Sequence, residues 1–374
     1  MENNKHPLRV IISGGGTGGH IFPAVSIANA LKRRDPATEI LFVGAEGRME
    51  MERVPAAGYE IVGLPVAGFD RKRLWRNFKV IWKFMRSRRM ASKLMKDFQP
   101  DIAVGVGGYA SGPTLSAAQA KGVPTLIQEQ NSYPGVTNKH LAPKARKICV
   151  AYDGTERFFP ADRIVKTGNP VREAIATLTM TRAEAKRQLG FDDDKPLVVV
   201  VGGSLGARTI NESVMSAMKK ITSYGANILW QTGKYYADEC QKAAESVPGV
   251  IATPFVDRME IAYRAADLVV SRAGASTISE IQLLGVPSIL VPSPNVAEDH
   301  QRKNAQALVD RNAAVMILDA DCRQELAGTV VELLKDPRRR EDLGKNAAKM
   351  ALRDADEKIV DEIYSILNRK CTIQ

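Results

Sequence analysis

At 374 residues, with 44% hydrophobic and 25% charged content, the chain is too long for one hydrophobic core and reads as two soluble globular domains. No apolar run approaches the roughly 18 to 20 residues that a spanning helix needs, and MENNKHPLRV lacks the apolar stretch of a signal peptide, so a cytoplasmic protein is expected. Cys149, Cys240, Cys322 and Cys371 stand far apart with no C-x-x-C spacing, which points away from a disulfide framework or a zinc knuckle, and the net charge of +11 favours anionic partners.

In chain order, the apolar run LRVII (8–12) enters SGGGTGGHIFPA (13–24), and a helix is predicted over 20–34. Gly14, Gly16 and Gly19 have the G-x-G-x-x-G spacing of a dinucleotide loop between strand and helix, with Glu46 past the next strand as a ribose acid. A nicotinamide or flavin enzyme therefore stays open on this stretch alone. A P-loop does not, because His20 stands where its lysine would be. Bare amides at a helix amino terminus suit a phosphate, although a tight turn would need the same glycines for steric reasons.

EILFVG then leads into a helix from about Glu50. Residues 71–96 carry 11 basic side chains and no acidic one, and residues 1–150 hold 23 Lys and Arg against 11 Asp and Glu. Within that segment Trp75, Phe78, Ile81, Trp82 and Met85 recur at three- and four-residue steps, so from about Arg76 they share one helical face. Such a face is either core with a solvated basic exterior or an interfacial helix lying on an anionic leaflet; the uncompensated charge favours the second. A nucleic-acid partner is not favoured, because no reader motif accompanies the charge.

IAVGVGG, helix 111–121, PTLIQEQ and KICVAY continue the alternation of short buried strands and helices that marks a parallel sheet covered on both faces. GVGGYASGP (105–113) supplies a second glycine turn with Gly107, Gly108 and Tyr109, and QEQNSYPG (128–135) places Glu129 and Asn131 past a strand end. After GNPVR (168–172), PLVVVVGGSLGAR restarts the pattern with Ser204 in a third glycine loop. Several phosphate cradles argue for two phosphorylated substrates. SRAGASTISE (271–280) is a strand end and helix start, where Thr277 and Glu280 fit a capping box about as well as a ligand contact. His300 and Gln301 in EDHQRKNA suit sugar hydroxyls. The acidic run Asp192–Asp194 precedes a strand, at the end away from the ligand loops, and reads as a solvated turn; no metal and no cofactor is expected.

GGGTGGH, GVGGYASGP, QEQNSYPGVTNK, GNPVR, GGSLGAR, SRAGASTISE and EDHQRKNA, in this order, closely resemble the MurG family of N-acetylglucosaminyltransferases, which complete lipid II in peptidoglycan synthesis. The resemblance implies a GT-B fold: α/β, two Rossmann-like doubly wound parallel-sheet domains facing across a cleft. The expected domains are 1–168 for the lipid acceptor and membrane side, 169–352 for the donor, and a carboxyl-terminal helix in 353–374 that packs back on the first domain. It implies transfer of N-acetylglucosamine from UDP-N-acetylglucosamine to the 4-hydroxyl of undecaprenyl-diphosphate-muramoyl-pentapeptide, with inversion, at the cytoplasmic face of the inner membrane. By match to the family's motifs, Thr17, Gly18, Gly19, Asn131, Arg172, Ser204, Val256, Ala275, Ser276, Thr277, Ile278, Ser279, Glu280 and Gln301 contact the donor, with the backbone of Val256 on uracil and Glu280 on the ribose. Gly15, Gly16, Gly107, Gly108 and Tyr109 are expected at the acceptor diphosphate. Leu205 and His300 replace glutamines of the family pattern. His20 is the candidate general base, since the positive helix end disfavours its charged form, with Glu129 as the alternative. A UDP-N-acetylglucosamine 2-epimerase is the rival of the same architecture.

Overall fold

The computed structural model describes residues 6–66 and 77–368. Its strands are β1 (Arg9–Ser13), β2 (Glu39–Ala45), β3 (Glu60–Leu64), β4 (Ile102–Gly105), β5 (Thr125–Glu129), β6 (Lys147–Val150), β7 (Ile164–Lys166), β8 (Leu197–Val201), β9 (Asn227–Gln231), β10 (Val250–Thr253), β11 (Leu268–Ser271), β12 (Ser288–Leu290) and β13 (Val315–Met316). Helices α1 (Gly18–Arg34), α2 (Glu50–Ala56), α3 (Asn77–Phe98), α4 (Ser111–Ala120) and α5 (Val136–Leu141) accompany the first seven strands. Then come α6 (Glu173–Ala176), α7 (Arg182–Gln188), α8 (Arg208–Ser223), α9 (Ala237–Glu245), α10 (Met259–Ala265), α11 (Ala275–Leu284), α12 (His300–Val309), α13 (Cys322–Lys335), α14 (Pro337–Met350) and α15 (Ala355–Ile366).

The strands form two parallel sheets, of seven in the order β3-β2-β1-β4-β5-β6-β7 and of six in the order β10-β9-β8-β11-β12-β13. Two compact units result, one holding the chain up to Arg172 together with Leu352 onward, the other Glu173–Ala351. Asn169 to Arg172 stay with the first unit: the Asn169 amide donates to the Gln130 carbonyl at 3.0 Å, and the Val171 carbonyl accepts from Ser26 at 3.0 Å.

Each central strand feeds both faces of its sheet. In β1, Val10 and Ile12 pack with Ile27 and Leu31 of α1 and Ile359, Val360 and Ile363 of α15, whereas Ile11 packs with Ala91 and Met95 of α3 and Leu115 of α4. In β8, Val198 and Val200 meet Val214 of α8 and Val330 of α13, and Val199 and Val201 meet Ile261 of α10 and Ala185 of α7. Burial of each such side chain stabilises by about 1.5–3 kcal/mol, which is why apolar runs without alternation become central strands. Strand order reverses between β1 and β4 and between β8 and β11, so the loops leaving these four strands flank the topological switch points.

Basic residues of α1 tie α15 down. Arg33 bonds Asp356 at 2.7 Å and Glu357 at 2.8 Å, and Arg34 bonds Glu357 at 2.8 Å and Asp361 at 2.9 Å. Burial works against the charged form of Glu357, but the two guanidiniums outweigh it and hold the carboxyl below its ordinary range.

Candidate functional site

In the first unit, the glycine loops after β1 and β4 pack backbone against backbone. A Cβ on Gly108 would lie 2.4 Å from the Gly15 carbonyl oxygen, and one on Gly14 would lie 2.1 Å from Val106. The buried carboxylate of Glu50 enters beneath them, accepting the Gly16 amide at 2.8 Å and the Ala45 amide at 2.9 Å. Gly16, expected to offer its amide to an anion, thus donates to Glu50. The acid that meets this loop is Glu50, whereas Glu46 is exposed.

His20 lies in the first turn of α1, with Nδ1 3.0 Å from the Gly15 carbonyl oxygen and 3.4 Å from the Thr17 hydroxyl. A carbonyl only accepts, so Nδ1 carries the proton and Nε2 is the basic nitrogen. Nε2 lies over Gly107, where an added Cβ would approach it to 2.9 Å. The three glycine-loop residues Gly15, Gly16 and Gly107 and the imidazole therefore form one constellation, with Gly108 beside it. Thr17 and Tyr109 are exposed at its edge, and Gly18 and Gly19 open α1. Phe22 packs under Gly18, and the Arg172 guanidinium stands 5.1 Å from its ring centre.

Glu129 does not fit the part of an alternative base. It is 2% exposed, and its oxygens accept from the Asn131 amide at 3.0 Å, the Asn131 side chain at 3.1 Å, the Gly135 amide at 3.2 Å and Asn138 at 2.8 Å. Four donors from its own turn and α5 make it the fastening of the loop that carries Asn131. Buried Gln130 joins this loop to the glycine turn by donating to the Val106 carbonyl at 2.8 Å.

In the second unit, Ser204 and Leu205 project from the β8 loop into solvent, while Gly206 is pinned beside the Thr232 carbonyl and the Tyr236 ring. The Val256 amide, expected on uracil, donates to Gln231 at 3.0 Å, so reading a base through this amide requires Gln231 to yield. Ala275–Glu280 form the start of α11. The capping-box reading of Thr277 and Glu280 is not realised: Gly274 occupies the cap, Thr277 is the third helical residue, and Glu280 lies further in at 4% exposure. Ile278 is core, Ser276 is half-buried, and the Ser279 hydroxyl donates back to the Ala275 carbonyl at 3.0 Å. Gln301 accepts the Ser293 amide at 2.9 Å. Before α12, Glu298 and Asp299 have φ of 57° and 53°, a left-handed pair unusual for residues other than glycine.

Sequence reasoning also missed Arg272, which donates to the Val291 carbonyl at 3.1 Å and pairs with Asp319. Asp319 in turn accepts the Thr209 hydroxyl at 2.9 Å, which ties the β11 loop to the start of α8. Asp192 and Asp193 pair with Lys195 and Arg187. Among the described residues, Cys149, Cys240 and Cys322 are buried free thiols, and burial pushes Cys240 up to about 12.

Trp75 lies outside the described residues, and Phe78 and Ile81 are on the backbone of α3. Trp82 is 62% and Met85 46% exposed, whereas Ser87, Ala91 and Met95 of the same helix are buried. No described helix is long and apolar enough to cross a membrane.

Two parallel α/β units carry glycine loops at their switch points, and residues 10–150 and 197–359 match the amino- and carboxyl-terminal domain models of glycosyltransferase family 28, which makes the class that of a glycosyltransferase. The chain belongs to that family. It is 58% identical over 372 residues to the UDP-N-acetylglucosamine--N-acetylmuramyl-(pentapeptide) pyrophosphoryl-undecaprenol N-acetylglucosamine transferase of Phocaeicola vulgatus, spanning 99% of this chain and 98% of that one. The crystal structure of Acinetobacter baumannii MurG superposes with a TM-score of 0.75 at 27% identity, over 96% of this chain and all of that one. A Neisseria meningitidis UDP-GlcNAc 2-epimerase, at 12% identity and a TM-score of 0.71 over 96% of this chain and all of its own, shares the fold alone.

Proposed function

We infer that this protein transfers N-acetylglucosamine from UDP-N-acetylglucosamine to the 4-hydroxyl of the muramoyl sugar on undecaprenyl-diphosphate-muramoyl-pentapeptide, with inversion, producing lipid II. The observation that carries this reading is the 58% identity maintained along essentially the whole chain to a transferase of that name. In this reading the donor is held by Ser204, the start of α11 with Glu280 on the ribose, and Gln301. His20, with Nδ1 committed to Gly15, takes the acceptor's proton on Nε2 as the sugar's anomeric carbon is attacked. UDP departs with the electron pair of the broken C1–O bond and needs little protonation, so a carboxylate pair of the glycosidase kind is not required.

The acceptor carries a lipid, so the first unit must reach a bilayer. Trp82 and Met85, exposed on a helix rich in Lys and Arg, support peripheral binding to an anionic leaflet; Arg86 stands 5.8 Å from the Trp82 ring centre.

The test of the reaction is UDP release. It is expected only when UDP-N-acetylglucosamine and the lipid-linked muramoyl acceptor are both present; conversion of the sugar nucleotide alone would identify an epimerase. Sedimentation with anionic vesicles should weaken on changing Trp82 and Met85 to Ser. Equal binding to neutral vesicles would remove the membrane proposal.

A further inference from the structure

The Gly15–Gly16 peptide is bonded at both ends. Its carbonyl accepts from His20 Nδ1 at 3.0 Å, and its N–H donates to Glu50 Oε2 at 2.8 Å. The second oxygen of Glu50 is fixed by the Ala45 amide at 2.9 Å, and the side chain is 1% exposed. Space is cut for this carboxylate by missing side chains: a Cβ on Gly15 would fall 2.1 Å from Oε1, and one on Gly44 would fall 2.6 Å from Cγ.

We propose that Glu50 is a positioning residue for His20, acting through the intervening peptide group. An ionised carboxylate on the N–H polarises the peptide and makes its carbonyl a stronger acceptor, because successive hydrogen bonds in a buried chain reinforce one another. It also fixes the plane of the peptide, and so the direction in which the carbonyl points. Both effects hold the proton on Nδ1 and leave Nε2 basic, the part that a directly bonded aspartate plays in a Ser-His-Asp triad. In the transfer step, which rests on the function proposed above, the acceptor hydroxyl gives its proton to Nε2 as its oxygen bonds the anomeric carbon and UDP leaves. The imidazolium so formed keeps its Nδ1–H on Gly15, and the Glu50 carboxylate, two hydrogen bonds away, stabilises the new positive charge.

The test uses full-length protein labelled with ¹⁵N-histidine, in which the His20 signals among the four histidines are identified by their loss in His20→Gln. The wild-type spectrum should show a protonated Nδ1 and a bare Nε2. Glu50→Gln presents an NH₂ group to one of the two amides now bonded; it should shift His20 toward a mixture of tautomers and lower kcat by about ten- to a hundred-fold, short of the roughly 10⁴-fold cost of neutralising a directly bonded carboxylate. UDP-N-acetylglucosamine affinity, read by calorimetry, should stay within about twofold, because the proposed donor contacts of the second unit are untouched. If Glu50→Gln fails to fold, Gly44→Ala, which displaces the carboxylate stem without removing it, should move the tautomer in the same direction. An unchanged nitrogen spectrum in the folded variants overturns the proposal, as does a loss of donor affinity as large as the loss of turnover. The nitrogen spectrum reads the link even in protein that transfers no sugar, so its failure is distinct from failure of the proposed reaction.

Discussion

The glycine loops after β1 and after β8 are written in similar residues, yet different atoms approach them. Around the first, an added Cβ on Gly14 would meet Val106 of the β4 loop and one on Gly15 would meet Glu50, while Gly16 is open and the Gly15 carbonyl holds His20. Around the second, Gly206 packs on the Thr232 carbonyl, Gly233 and Tyr236, while an added Cβ on Gly203, like one on Gly16, would meet nothing within 4 Å, and Ser204 is exposed as Thr17 is. The comparison teaches that the same spacing serves two ends. Both loops keep an open glycine beside an exposed hydroxyl, Gly16 with Thr17 and Gly203 with Ser204, but the first also places an imidazole over a buried carboxylate.

The sharpest way to break this comparison is to remove the imidazole. His20→Ala should lower turnover by about 10² to 10⁴ while leaving UDP-N-acetylglucosamine binding intact, as separate kcat and calorimetric measurements would show; near-normal turnover would take His20 out of the base's role. Glu280→Ala addresses the other unit, and loss of the charge-assisted ribose bonds proposed for it should weaken donor binding by about 1.5–3 kcal/mol, roughly ten- to a hundred-fold. Its effect on kcat at saturating donor should be small.

Smaller effects separate the glycines. Gly15→Ala places a methyl within 2.1 Å of a buried carboxylate oxygen and should destabilise by about 1–3 kcal/mol on overpacking alone, with loss of turnover. Gly203→Ala, at φ 84° in open space, should cost only the left-handed backbone term of about 1–2 kcal/mol and keep turnover. Thermal melts and rates on the pair check this; equal loss of turnover would erase the distinction. Smallest of all, Ser204→Ala should weaken the donor by about 0.5–1.5 kcal/mol, the worth of one neutral hydrogen bond.

Much of this fold was legible because central strands buried on both faces leave unbroken apolar runs such as VII in β1 and LVVVV in β8. The site was legible in its loops and less so in its supports. Glu50 at the first position of α2 reads as an acid favoured by the helix dipole, and no local pattern says that its side chain turns inward beneath a loop 34 residues earlier. Glu129 reads as a rim carboxylate, and only the folded turn reveals its four donors. The capping reading of Thr277 and Glu280 failed on helix phase, because α11 starts at Ala275. Along α3, Ala91 and Met95 enter the core, while Trp82 and Met85, two members of the stripe, are exposed.

The return of α15 to the first unit has a consequence in time. Ile359, Val360 and Ile363 complete the core around Val10 and Ile27, yet they are separated from the unit's opening stretch by the whole of Glu173–Ala351. During synthesis at about 5–20 residues per second, the first unit emerges and then waits on the order of ten to forty seconds for its last helix. The second unit is continuous and needs no such delay. Until α15 arrives, the apolar face of α1 lacks its cover, and the domain begun first is the one finished last.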